Sequence, residues 1–171
     1  LGEAIGNAIE VIDGLKVLQG RKCYLRRVVS RFAAEMMIDH DKTLSKDTAY
    51  EMIDHALDSG KAYQKFMDII KAQGGDYKMV EDGKLFCPYK STNFVADREG
   101  YVGSINSLLL GELVRRLCAE THDNNIGVAL RVKIGDYVHA GDVILTFYYK
   151  DEQDLVAYKN AIAGSIRITE K

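Results

Sequence analysis

Val132-Lys133-Ile134-Gly135-Asp136-Tyr137-Val138-His139-Ala140-Gly141-Asp142-Val143-Ile144-Leu145 sets two Gly-Asp steps between apolar, β-branched runs. Each step reads as a tight turn, since glycine supplies a positive φ at no steric cost. The flanking runs, 127–133 and 143–149, read as strands. Upstream, 92–96 and 100–105 read as two strands about the turn Asp97-Arg98-Glu99-Gly100. Asn106 or Ser107 caps a helix expected to reach about Ala119; downstream, 151–163 reads as helix and 165–169 as a last strand. These elements predict a small barrel-like sandwich with helices packed on it.

Nearer the start the period changes from two to 3.6. Asn7 with Glu10 has the spacing of a capping box, which predicts a helix from Ala8, with Ala8, Val11, Ile12, Leu15 and Leu18 on its apolar face and Gly20 as its stop. A second helix is expected over 22–38, burying Leu25, Val28, Val29, Phe32, Ala33 and Met36. Ser45 opens a third, with Ala49, Met52, Ile53 and Ala56 inward. A fourth starts at Ser59 or Gly60, carries Tyr63, Phe66, Met67 and Ile70, and stops at Gly74-Gly75. Pro88, the only proline, falls between the halves, where its missing N–H is harmless. The expected class is α+β: a helical segment over 1–77, then an α/β hammerhead-like barrel-sandwich domain over 78–171.

With 171 residues, 47% hydrophobic and 28% charged, the composition is that of a globular chain with room for one domain or two small ones. A net charge of −2 offers no broad footprint for phosphate backbones, so nucleic acid is not the expected partner. No apolar run reaches the ~20 residues of a membrane span, and no signal peptide is visible. Cys23, Cys87 and Cys118 are an odd, widely spaced set, which fits reduced thiols in a cytoplasm. The start at Leu1, inside an organised segment, reads as a fragment of something longer.

Met-Ile-Asp-His occurs at 37–40 and 52–55, so Asp39, His40, Asp41, Asp54 and His55 invite a metal reading. A calcium loop from Asp39 would need glycine at Leu44 and a carboxylate at Tyr50, so that motif fails and these residues are expected on a solvated surface. Arg21, Lys22, Arg26, Arg27 and Arg31 carry five positive charges with no acid between them. The acidic stretch 35–58 can neutralise them, and a solvated or interdomain helix face is expected. The 132–145 stretch is similar to the barrel of biotinyl and lipoyl carriers, but the Met-Lys-Met or Asp-Lys-Ala setting of a modified lysine is missing. No Ser/His/Asp set, CxxC pair, Walker loop or GxGxxG fingerprint can be assembled, and neither His122 nor His139 is given a catalytic role.

Leu1-Gly2-Glu3-Ala4-Ile5-Gly6-Asn7-Ala8-Ile9-Glu10-Val11 resembles the LGxA(I/V)GNA(L/I)EV signature of pyrimidine-nucleoside and thymidine phosphorylases. The resemblance continues through Ala72-Gln73-Gly74-Gly75-Asp76, similar to AAQGGD, through the Gly100-Tyr101-Val102 step, and ends with the Gly135-Asp136 and Gly141-Asp142 turns. It implies the C-terminal part of a longer cytoplasmic, homodimeric enzyme that splits pyrimidine nucleosides with phosphate into base and pentose 1-phosphate. It also implies that the phosphate loop and the base-contacting groups lie upstream, so that this fragment alone is inactive and holds no catalytic residue. No organic cofactor is implied. A potassium ion is, held by backbone carbonyls at Leu1 and Ala4 and a carboxylate at Asp13, where glutamate is usual. The chain departs from the family over 117–127, where a glycine-rich LGAGR run is replaced by Cys118, Glu120 and neighbours, whose backbone range is narrower than glycine's. That departure keeps a second expectation open: a non-catalytic barrel-sandwich binding module of a diverged relative.

Overall fold

A computed structural model describes residues 2–170. They divide into two compact units: Gly2 with Val11–Leu85, and Glu3–Glu10 with the residues from Phe86 onward. No helix among the described residues is long and apolar enough to cross a membrane.

The chain opens with strand β1 (Ala4–Ile5) and helix α1 (Asn7–Leu18), and the division between the units falls inside α1. The capping pair sits one residue earlier than expected. The Glu10 carboxylate accepts from the Gly6 amide at 3.0 Å, while the Asn7 side chain donates to Asn124 at 2.7 Å. Helices α2 (Tyr24–His40), α3 (Lys46–Asp58), α4 (Lys61–Ala72) and the short α5 (Tyr77–Glu81) follow. Ser45 caps α3 as expected, its hydroxyl accepting from the Thr48 amide. Gly60, at φ 76°, starts α4.

The inward face of α2 differs from its hydrophobic stripe. Arg26, Ser30 and Ala34 are buried, whereas Phe32 is 64% and Met36 72% exposed. The helix is rotated because Arg26 is drawn toward α3: its guanidinium donates to Asp54 and Asp58, each at 2.5 Å, and to the Gly20 carbonyl. Two charge-assisted hydrogen bonds outweigh the burial of two apolar side chains here. The helix α5 had no apolar period to announce it; Asp76 caps it by accepting from the Lys78 amide.

The second unit holds two antiparallel sheets that do not close into a barrel. One has the order β1-β4-β6-β2, with β2 (Lys90–Val95), β4 (Gly127–Leu130) and β6 (Val143–Tyr149); the other runs β5-β3-β7, with β3 (Gly100–Ile105), β5 (Tyr137–Val138) and β7 (Ile166–Thr169). β2 and β3, expected as neighbours about one turn, lie in different sheets: β2 pairs with β6, and β3 with β5 and β7. The physical reason lies in the two Gly-Asp turns. The carbonyl of Ala96 accepts from Gly141 and that of Val102 from Gly135, so the chain between β2 and β3 is paired to the turn segment and not folded on itself. Each aspartate caps its own turn, Asp136 accepting from the Lys133 amide and Asp142 from the His139 amide, both at 2.8 Å.

Helix α6 (Ser107–Thr121), capped by Asn106, runs slightly past its expected end, and α7 (Glu152–Ala163) starts on a capping box of Asp151 and Asp154. Leu110, Leu113 and Leu117 of α6 and Ile162 of α7 pack with Val102, Val128, Leu145 and Phe147 into one apolar core. Each such side chain contributes about 1.5–3 kcal/mol of burial.

Candidate functional site

The first eleven residues show why this signature needs its residue types. Glu3 and Ala4 join the sheet, the Glu3 carbonyl accepting from the Leu130 amide at 2.7 Å and Ala4 standing opposite Ala129. The chain must then turn at once into α1 while lying against the start of β4. At Gly6, with φ +135°, a Cβ would stand 2.6 Å from the Ile126 carbonyl oxygen, so only glycine fits. Asn7 then ties this turn to Asn124, across the loop that leads into β4.

The three residues expected to hold a cation are placed as follows. Leu1 lies outside the described residues. Ala4 sits in β1 of the second unit and Asp13 in α1 within the first. Asp13 is 8% exposed. A Cβ on Gly2 would meet an Asp13 carboxylate oxygen at 2.5 Å, and Arg21 approaches the same carboxylate at 4.0 Å. Among the described residues no group of three or more His, Cys, Asp and Glu side chains could hold a metal.

The repeated Met-Ile-Asp-His residues divide. Asp39 bonds Lys42 at 2.7 Å and Asp41 caps Thr43, both on the surface. The Lys42 hydrogen bond holds the Asp39 carboxyl below its ordinary range, and the Thr43 hydroxyl and amide do the same for Asp41. His40 and His55 are exposed. Asp54, by contrast, belongs to the Arg26 cluster, which its sequence context did not single out. Arg26 hydrogen bonding holds the Asp58 carboxyl low, and both carboxylates raise the guanidinium above its ordinary value. Of the basic run, Lys22, Arg27 and Arg31 make no ion pair among the described residues.

The divergent segment after α6 has its own turn chemistry. Cys118 and Glu120 stay helical, and the left-handed position falls on His122, at φ 52°. Asp123 accepts from the Asn125 amide, and Asn125 in turn accepts from the Cys87 amide at 2.8 Å. The His-Asp-Asn-Asn run was the available signal, since Asp and Asn tolerate such turns and satisfy their amides. The Cys118 thiol, half-buried and 3.9 Å from the Ile126 carbonyl, is pushed above its ordinary pKa by burial and by Asp123.

Residues 101–169 match the family model for the pyrimidine nucleoside phosphorylase C-terminal domain. An AMP phosphorylase of Methanocella arvoryzae is 32% identical over 174 residues, covering 99% of this chain and 34% of that protein. A pyrimidine-nucleoside phosphorylase of Staphylococcus epidermidis is 31% identical over 181 residues, covering 100% of this chain and 41% of that protein. A thymidine phosphorylase of Metamycoplasma hominis is 31% identical over 157 residues, covering 86% and 57%. The chain thus spans between 34% and 57% of the length of these relatives. With the domain match in its second unit and such relatives aligned along nearly all of it, the chain corresponds to the C-terminal region of the pyrimidine-nucleoside phosphorylases.

Proposed function

We propose that this chain is the C-terminal part of an enzyme that cleaves a pyrimidine nucleoside with phosphate. A phosphate oxygen forms the new bond at the anomeric carbon, the glycosidic C–N bond breaks, and the base leaves with the electron pair and takes up a proton. The observation that carries the reading is the alignment of phosphorylases over 86% to 100% of the chain. Residues 1–77 are then the helical segment of the larger domain and 78–171 the C-terminal domain. The passage of one paired ribbon between the two sheets, at Ala96–Val102 and Gly135–Gly141, supports the barrel-sandwich reading of that domain. A cytoplasmic homodimer comes with the same reading.

The role left to these residues is to fix the signature turn and close the fold, because the phosphate- and base-contacting groups belong to the upstream part. Phosphate-dependent release of base from thymidine, uridine and AMP tests this. The purified 171 residues are expected to release none, and the longer protein is expected to release uracil or thymine. Release by the 171 residues alone would overturn the division of labour; no release by the longer protein would favour the non-catalytic binding module. The potassium ion on Leu1, Ala4 and Asp13 is proposed for that longer enzyme, where it would supply fixed positive charge. Rates independent of potassium and unchanged in Asp13→Ala would remove it.

A further inference from the structure

We propose that the apolar stripe of α2, formed by Leu25, Val28, Val29, Phe32 and Met36, is an intramolecular docking face for the part of the longer protein that precedes this chain. The inference rests on the reading above that such a part exists, and not on the reaction it performs. The five residues recur at steps of three and four, so they line one side of the helix over a rise of roughly 16 Å. The buried side of α2 is a different one, carried by Arg26, Ser30 and Ala34, and Arg26 joins it to α3. The stripe is left in solvent: Val29 is 40%, Phe32 64% and Met36 72% exposed. Apolar side chains exposed singly are ordinary, but a row of them at helical period is the pattern of a face made to be covered.

Two further observations say by what. The first unit does not close a core of its own. Between residues 11 and 85 its buried apolar side chains are Leu15, Val17, Ala34, Ala49, Leu57 and Met67, spread over four helices, whereas the second unit gathers its own around Phe147 in one cluster. A layer of helices with so little buried is one side of a core whose other side comes from elsewhere. The second observation is where polypeptide enters. Gly2, the first described residue, lies against the start of the stripe: a Cβ on it would stand 3.6 Å from Leu25 Cδ2. A segment arriving at Gly2 therefore meets the face at one end, and relatives of which this chain spans 34% and 41% are long enough to supply a whole layer. Tethered this closely, that layer acts at an effective concentration on the order of millimolar, which a second copy or a separate protein would have to exceed. Because the stripe carries no charge, what it accepts is the apolar face of a helix or sheet.

The test uses the longer protein without substitution. It is treated with dilute hydrogen peroxide, folded and in urea, and sulfoxide at Met36 is followed by tandem mass spectrometry of the peptide. Met36 in the folded protein is expected to oxidise at least about tenfold more slowly than in urea. Phe32→Cys in the same protein is expected to show the same protection against iodoacetamide. Oxidation of Met36 or alkylation at position 32 at the rate found in urea would overturn the proposal. Protection that disappears on dilution, once light scattering shows one chain per particle, would give the face to a second copy and overturn it as well. Neither readout is activity, so the two readings fail separately. A protein that cleaves nucleosides yet oxidises freely at Met36 sinks this inference alone, and one that protects Met36 but releases no base sinks the phosphorolysis reading alone.

Discussion

The amide of Gly135 donates to the carbonyl of Val102 at 2.8 Å, and Val102 returns a bond of the same length to the Asp136 carbonyl. Six residues on, Gly141 and Asp142 repeat the exchange with Ala96. Both glycines hold positive φ, 95° and 93°, and a Cβ at either would meet nothing within 4 Å. The cost of a side chain there is therefore conformational only. Gly135→Val is expected to lose more than about 1 kcal/mol in urea unfolding, with Gly135→Asn losing less, and Gly141 should behave alike.

Gly6 makes the opposite case, where space decides. Its Cβ would stand 2.6 Å from a backbone oxygen that cannot rotate away. Gly6→Ala should cost at least about 2 kcal/mol, more than the same change at Gly135, and equilibrium unfolding of the two variants side by side checks the order.

The Arg26 cluster gives the first unit an acid-sensitive joint. The Asp58 carboxyl is held below its unfolded value by Arg26, so its contribution is present above the unfolded pKa, near 4, and is lost as pH falls through the lower folded value. Thermal melts from pH 6 down to pH 2 should show stability dropping below about pH 4, and Asp58→Asn should flatten that drop while lowering stability at neutral pH. Arg26→Ala is expected to remove the same dependence and to destabilise at every pH, since Asp54 loses its donor too.

The thiols should separate by rate. Cys87 is exposed, whereas Cys118 is half-buried with its pKa raised by burial. Because the thiolate is the reactive form, alkylation near pH 8 should label Cys87 well before Cys118, as followed by peptide mass. Equal rates would show the α6 terminus opening freely.

What the sequence made legible follows from the range of the forces involved. Asn106, Ser45, Gly135 and Gly141 act on their own neighbours, and each behaves as its local chemistry predicts. Glu10 acts locally as well, but its partner proved to be Gly6 because Asn7 found a better one more than a hundred residues away. The burial of Arg26 and the parting of β2 from β3 depend on residues far along the chain, Asp58 in the one case and Gly141 in the other. No window of eleven to eighteen residues contains both members of such a pair. The expected cation residues were legible only as a resemblance, because carbonyl ligands leave no mark on residue type.

The pairing of β1 with β4 also fixes an order of assembly. The four-stranded sheet takes its edge strand from residues 4–5, yet that strand's partner is Gly127–Leu130. Residues 11–85, which lie between them, are for the second unit a long insertion whose ends must meet. Such a loop adds little entropy cost for its length, but the sheet stays incomplete until both ends have been made. A truncation that begins at residue 78 would therefore keep most of the apolar core and expose the backbone edge of β4. An uncovered edge recruits other strands, so the shortened chain should self-associate more readily than the full one.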